Sequence, residues 1–159
     1  MWTGEDQKEL DDLREYNRKE GEILSKCCDT NNRGIAFEKE GRIEEALKVY
    51  EENISLRQPA LHAYWRLIKL YRKMKDYKNE SRVIKIAIDV FMKENERRAN
   101  LVLDEHPEWE DIIMQAMETN EEVRLDDGRY VLNQYNVIEF IDREVKVKYL
   151  IENKTQKSC

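Results

Sequence analysis

Two prolines and five glycines in 159 residues leave little to interrupt regular structure. Such a chain is biased toward helices, since Gly and Pro are the residues that break them. Long apolar runs are missing as well; one of the longest, Ile86-Ala87-Ile88, falls far below the roughly 20 residues a membrane span requires. The opening stretch, Met1 to Asp6, has no basic region followed by an apolar core, so no secretory leader is expected there. Cysteines are few and badly placed for bridging: Cys27 and Cys28 are adjacent, Cys159 stands alone, and no CxxC spacing suits zinc. Reduced thiols in a cytoplasmic protein are the expectation. Histidine occurs only at His62 and His106. Neither has a partner motif, and the phosphate-loop, dinucleotide and HExxH patterns are missing. Asp126-Asp127-Gly128 lacks the further ligands of a calcium loop. No enzymatic activity, cofactor or metal is therefore expected.

Charge and apolar residues are what the chain has in quantity, at 39% and 40%. That balance suits helices with one solvated and one buried face. The net charge of −6 conceals a segregation. From Arg57 to Ile88 nine bases face two acids, whereas from Asp104 to Glu144 thirteen acids face three bases. Such asymmetry bears on association more than on fold.

A shift of 34 residues brings two stretches into register: Phe37 falls on Tyr71, Gly41 on Lys75, Ile43 on Tyr77, Tyr50 on Ile84 and Ile54 on Ile88. Each stretch reads as a helix, a polar turn and a second helix. Ile43, Ala46, Leu47, Tyr50 and Ile54 recur at one-face spacing in the first copy. Tyr77, Val83, Ile84, Ala87, Ile88 and Phe91 do so in the second. Gln58-Pro59 separates the copies, Pro being tolerated at a helix start.

With Gly34, Phe37, Gly41, Ala46, Tyr50 and Pro59 in one copy, and Tyr64, Leu67, Tyr71, Tyr77, Ile84 and Ala87 in the other, this stretch resembles the tetratricopeptide repeat (TPR) family. The resemblance covers residues 27 to about 93 and implies antiparallel helical hairpins stacked as a short superhelix. Ile68 and Glu80 depart from the pattern by replacing small residues, and a Glu at the hairpin contact must open it or find a partner. An ordinary helical bundle with matching spacing is the alternative. The expected fold class is all-α, in three segments: residues 1–26 as N-terminal capping helices, 27–93 as two TPR-like repeats, and 94–159 as an acidic C-terminal capping region. In the first segment a helix over residues 5–19 ends near Gly21 and another begins near Glu22. In the last, the helix of the second repeat runs on toward Leu103 and breaks at His106-Pro107, and a further helix starts around Glu108. Asp126-Asp127-Gly128 signals a turn, with a small β-ribbon possible near residues 123–132. Asn136 caps a final helix carrying Val137, Phe140 and Ile141, although the alternation at Val145, Val147, Tyr149 and Ile151 also permits a strand.

The resemblance implies a concave groove lined by the first helix of each pair. In the second repeat that helix carries Tyr64, Leu67, Ile68 and Tyr71 toward its partner, leaving His62, Trp65, Arg66, Lys69, Arg72 and Lys73 for the groove. No acid occurs between Leu61 and Met74. Lys and Arg attract carboxylates and Trp supplies an apolar anchor, so the expected role is a non-catalytic adaptor or scaffold binding an acidic or C-terminal peptide. Two other readings stay open: a structural or regulatory subunit whose groove is occupied by its own acidic C-terminal region, and a nucleic-acid-associated accessory protein. A monomer or weak dimer, without membrane association, is expected.

Overall fold

The computed structural model describes residues 3–157, so the thiol of Cys159 lies outside the described residues. The chain is all-α, in the order α1 (Gly4–Lys39), α2 (Ile43–Ser55), α3 (Leu61–Lys73), α4 (Tyr77–Glu105), a 3-10 turn (Pro107–Trp109), α5 (Glu110–Thr119) and α6 (Ile138–Lys157). No helix among the described residues is long and apolar enough to cross a membrane. Internal contacts divide the chain into two units, one up to Arg66 and one from Leu67 onward, with the division inside α3.

In the first unit α1 is a single helix of 36 residues, about 54 Å long at 1.5 Å per residue. The break expected near Gly21 is not there. Glycine ends a helix when it turns left-handed, as Gly41 does at φ 75°, whereas Gly21 has no positive φ. Around it Arg18 pairs with both Glu15 and Glu22, tying successive turns together. Only the second half of α1 meets α2. Their seam is built on Cys27, Thr30 and Gly34 from α1 and on Ala46, Val49, Tyr50, Asn53 and Ile54 from α2, all buried. Asn53 Nδ2 donates across it to the Cys27 carbonyl at 2.8 Å and to Thr30 Oγ1 at 2.7 Å, which satisfies a buried amide.

In the second unit α4 packs on α6 and α5. Val83, Ile84, Ala87 and Phe91 of α4 are buried, as are Phe140 and Val147 of α6, and the Phe91 and Phe140 rings stack at 5.5 Å. α4 carries on to Glu105 before His106 caps it, and the His106 ring stacks on Trp109 at 3.9 Å. A second apolar cluster joins Ala99, Ile113, Val131 and Leu132, with Val123 and Leu125 against it. That cluster explains why residues 123–132 form a hairpin turn and no strand. One antiparallel bridge, Arg124 to Tyr130, closes around Gly128 at φ 86°, and the flanking apolar side chains turn into the core instead of extending the ladder. The final segment is a helix, with Asn136 Oδ1 accepting from the Glu139 amide at 3.4 Å.

The two turns related by the 34-residue shift have the same backbone. Gly41 N–H donates to the Glu38 carbonyl at 3.0 Å and Arg42 N–H to Phe37 at 2.9 Å; Lys75 donates to Arg72 at 3.1 Å and Asp76 to Tyr71 at 2.9 Å. Gly41 and Lys75 are both left-handed, at φ 75° and 59°. Ile43 and Tyr77, also 34 residues apart, each open the following helix.

Candidate functional site

Helix α3 starts after Pro59 and buries Ala63, Tyr64, Leu67, Ile68, Leu70 and Tyr71. The residues singled out for binding are on its remaining surface: His62, Lys69 and Lys73 are exposed, and Trp65, Arg66 and Arg72 are half-buried. Their electrostatic situations differ sharply.

Arg66, in the first unit, is held by Glu38 of α1. Its Nε donates to Glu38 Oε1 at 2.9 Å, and Nη2 reaches the other carboxylate oxygen. The Tyr50 hydroxyl donates to Glu38 Oε1 at 2.8 Å. The Arg66 guanidinium, helped by that hydroxyl, holds the Glu38 carboxyl below the usual carboxylate range against the opposing effect of burial. The phenol in turn is pushed above its ordinary value, first by burial and then by its bond to Glu38. His62, although exposed, sets its ring edge-on to Tyr50 at 5.8 Å; the partial desolvation of that ring, and then the Arg66 charge, lower its pKa and favour the neutral imidazole. Arg66 is thus part of the packing, and His62 rests against its outer edge.

Arg72, in the second unit, is engaged in the same way. Glu80 of α4 is fully buried and receives Arg72 Nε at 2.7 Å on one oxygen and Arg143 Nε of α6 at 3.2 Å on the other. These are the partners that a Glu at a hairpin contact requires, and they tie α3, α4 and α6 to one carboxylate. Arg72 Nη2 is buried without an acceptor among the described residues. The neighbouring Glu144, also buried, accepts from Ser81 Oγ at 2.9 Å and sits 3.7 Å from Lys85 Nζ.

Of the four bases singled out on α3, two therefore balance internal carboxylates. Lys69 and Lys73 are left exposed, and no described carboxylate pairs with either. Beyond Lys73, the turn into α4 and the last turns of α6 border a shallow, open cleft of about 580 Å³. Met74, Tyr77 and Ile151 give it apolar walls, and Lys75, Lys78 and Lys154 line it with cations beside the single carboxylate of Asp76. Lys154 Nζ lies 5.8 Å from the centre of the Tyr77 ring. The basic run to Lys78 was readable from sequence, but the contribution of Ile151 and Lys154 was not, because it depends on how α6 docks.

Among the described residues no group of three or more His, Cys, Asp or Glu side chains is placed to hold a metal ion. Cys27 is buried and Cys28 exposed, both as free thiols, and burial pushes the Cys27 thiol up. Comparison of the chain with protein-family models, with curated proteins and with solved structures returned no match.

Proposed function

We propose that this chain is a non-catalytic adaptor of TPR-like helical hairpins, working in a reducing, cytoplasmic setting, that binds an acidic segment of another protein. The carrying observation is the contrast along α3. Arg66 and Arg72 have carboxylates of their own, whereas Lys69 and Lys73 have none on a helix without an acid. Unpaired surface cations attract carboxylates over about 8 Å at physiological salt. The adjoining cleft gives an apolar side chain of the same ligand somewhere to anchor, which exposed ion pairs alone do not provide. The identical turns at Gly41 and Lys75 support the repeat reading.

The test is retention from cell extract by the wild type and by Lys69→Glu/Lys73→Glu, with bound species identified by mass spectrometry and unrelated duplex DNA added as competitor. Loss of a specific acidic protein in the variant, with helicity unchanged and no competition by duplex, is the expected result. Equal retention by both proteins defeats the reading, and displacement by duplex moves the function to nucleic acid. Arg66 and Arg72 are left intact because each also holds a helix in place.

A further inference from the structure

Helix α6 has two apolar faces where a helix on a core needs one. Phe140, Glu144 and Val147 are its buried side. Ile138, Ile141, Val145 and Tyr149 follow one another at spacings of three, four and four, and all four are exposed. At 100° per residue their mean direction points away from the buried face. Val145 and Tyr149 are the most open, at 63% and 65%. Beside the start of this stripe lies a recess of about 170 Å³, bounded by Met92 of α4, Met117 of α5, and Val137, Ile138 and Ile141, with polar side chains, Glu118 and Gln134 among them, on its remaining wall. A continuous apolar stripe with a methionine-lined recess marks an interaction surface.

We infer that this surface associates with a second copy of the chain, α6 against α6 in antiparallel fashion about a two-fold axis near Val145. Ile141, Val145 and Tyr149 are their own complement in that arrangement, while Ile138 falls opposite Glu152. Val145 meets its equivalent, and Ile141 meets Tyr149 of the second copy, whose ring falls at the mouth of the recess. One flank of the stripe carries Asp142 and, four residues on, Lys146, neither with a partner among the described residues. In an antiparallel pair like flanks face each other, so Asp142 of one copy stands beside Lys146 of the other on both sides of the axis. A parallel pair would put these flanks on opposite sides of the seam, so Asp142 of one copy would not reach Lys146 of the other, and it would align the helix dipoles unfavourably. The isologous, closed arrangement is also the commonest form of self-association. Four side chains and a recess offer less than the roughly 800 Å² per partner of a standard stable complex, so the dimer is weak, with a Kd on the order of micromolar.

Sedimentation velocity over micromolar to near-millimolar concentrations tests this. The wild type should pass from a 19.2 kDa monomer to a dimer as concentration rises. Val145→Asp, or Tyr149→Lys should the first disturb folding, should weaken dimerisation about tenfold or more with unchanged far-UV circular dichroism. Asp142→Lys and Lys146→Asp should each weaken it, and the two together should restore it. In a Cys28→Ser/Cys159→Ser background, mild oxidation should join copies carrying Val145→Cys far more readily than copies carrying Ile141→Cys. A wild type monomeric at every concentration overturns the proposal and assigns the stripe to a different protein. Dimerisation untouched by Val145→Asp and Tyr149→Lys places the contact elsewhere, and equal cross-linking at both positions overturns the antiparallel register.

Discussion

Replacing Gly34 by alanine should destabilise the first unit, although alanine is the better helix former. An added Cβ at Gly34 falls 2.4, 2.6 and 2.9 Å from Cε1, Cζ and Cδ1 of the Tyr50 ring. Carbon atoms rest at about 3.5–4.0 Å, so the ring has to withdraw by about 1 Å. It has little freedom to do so, being fully buried, with its hydroxyl fastened to Glu38 and His62 against it. Overpacking of this kind costs about 1–3 kcal/mol, and the helix propensity of Ala over Gly returns about 1 kcal/mol. The net loss is up to about 2 kcal/mol. Removing the ring reverses the sign: in a Tyr50→Val background, Gly34→Ala should stabilise by up to about 1 kcal/mol. Protection of the α1 and α2 amides against hydrogen exchange reads the effect where it occurs, away from the helices of the second unit. Higher protection for Gly34→Ala in the presence of Tyr50 would refute the claim that a close approach of helix to ring is what requires glycine there.

Glu80→Ala should cost the second unit about 2–3 kcal/mol in urea denaturation. A broken buried pair costs about 3–5 kcal/mol, and the discount reflects Arg72 and Arg143, which keep 27% and 28% of their side-chain surface exposed. A change below about 0.5 kcal/mol, typical of an ordinary surface site, would dismiss the carboxylate as a tie between helices. Stability should also fall above pH 10 in the first unit. Burial raises the pKa of Tyr50 above its ordinary value and pushes Tyr64 up to about 12, so the unfolded chain ionises first and gains the free energy of losing those protons. The stability they contribute is complete below pH 10 and is lost as pH rises through the folded values. Urea midpoints measured from pH 8 to pH 11 check this, and Tyr50→Phe should flatten the decline.

Where the sequence was legible, local rules agreed with tertiary packing. The one-face spacing of Ala46, Tyr50 and Ile54 was enough to place α2, and Asn136 marked the start of α6 through its capping chemistry. Gly21 misled because glycine has two meanings: it ends a helix when left-handed and merely weakens one when not. Only the surroundings decide, and here they are the charge pairs of Arg18. The loop before α6 was illegible for a different reason. Asn95 grips Tyr135 from both sides, accepting its N–H at 2.7 Å and donating to its carbonyl at 2.9 Å, and Asn120 donates to that carbonyl at 3.0 Å. Both asparagines look like solvated helix-surface residues until the loop is laid over them.

The candidate site divides along the same line. Residue type and acid-free context identified α3 as basic, which is a property of composition. Which of its cations are available is a property of pairing, and pairing came from carboxylates at a distance in sequence: Glu38 for Arg66, and Glu80, shared with Arg143, for Arg72. An arginine fork binds a carboxylate through two directed N–H groups and loses less freedom per bond than a lysine. It is therefore the side chain suited to a fixed, half-buried bridge between helices. Lysine, a compact and strongly hydrated charge on a flexible stem, is better kept in water. The observed partition follows that chemistry, with Arg66 and Arg72 inward and Lys69 and Lys73 outward. On a basic helix of a small acidic protein, the lysines are accordingly the first residues to test for binding, and the arginines the first to test for stability.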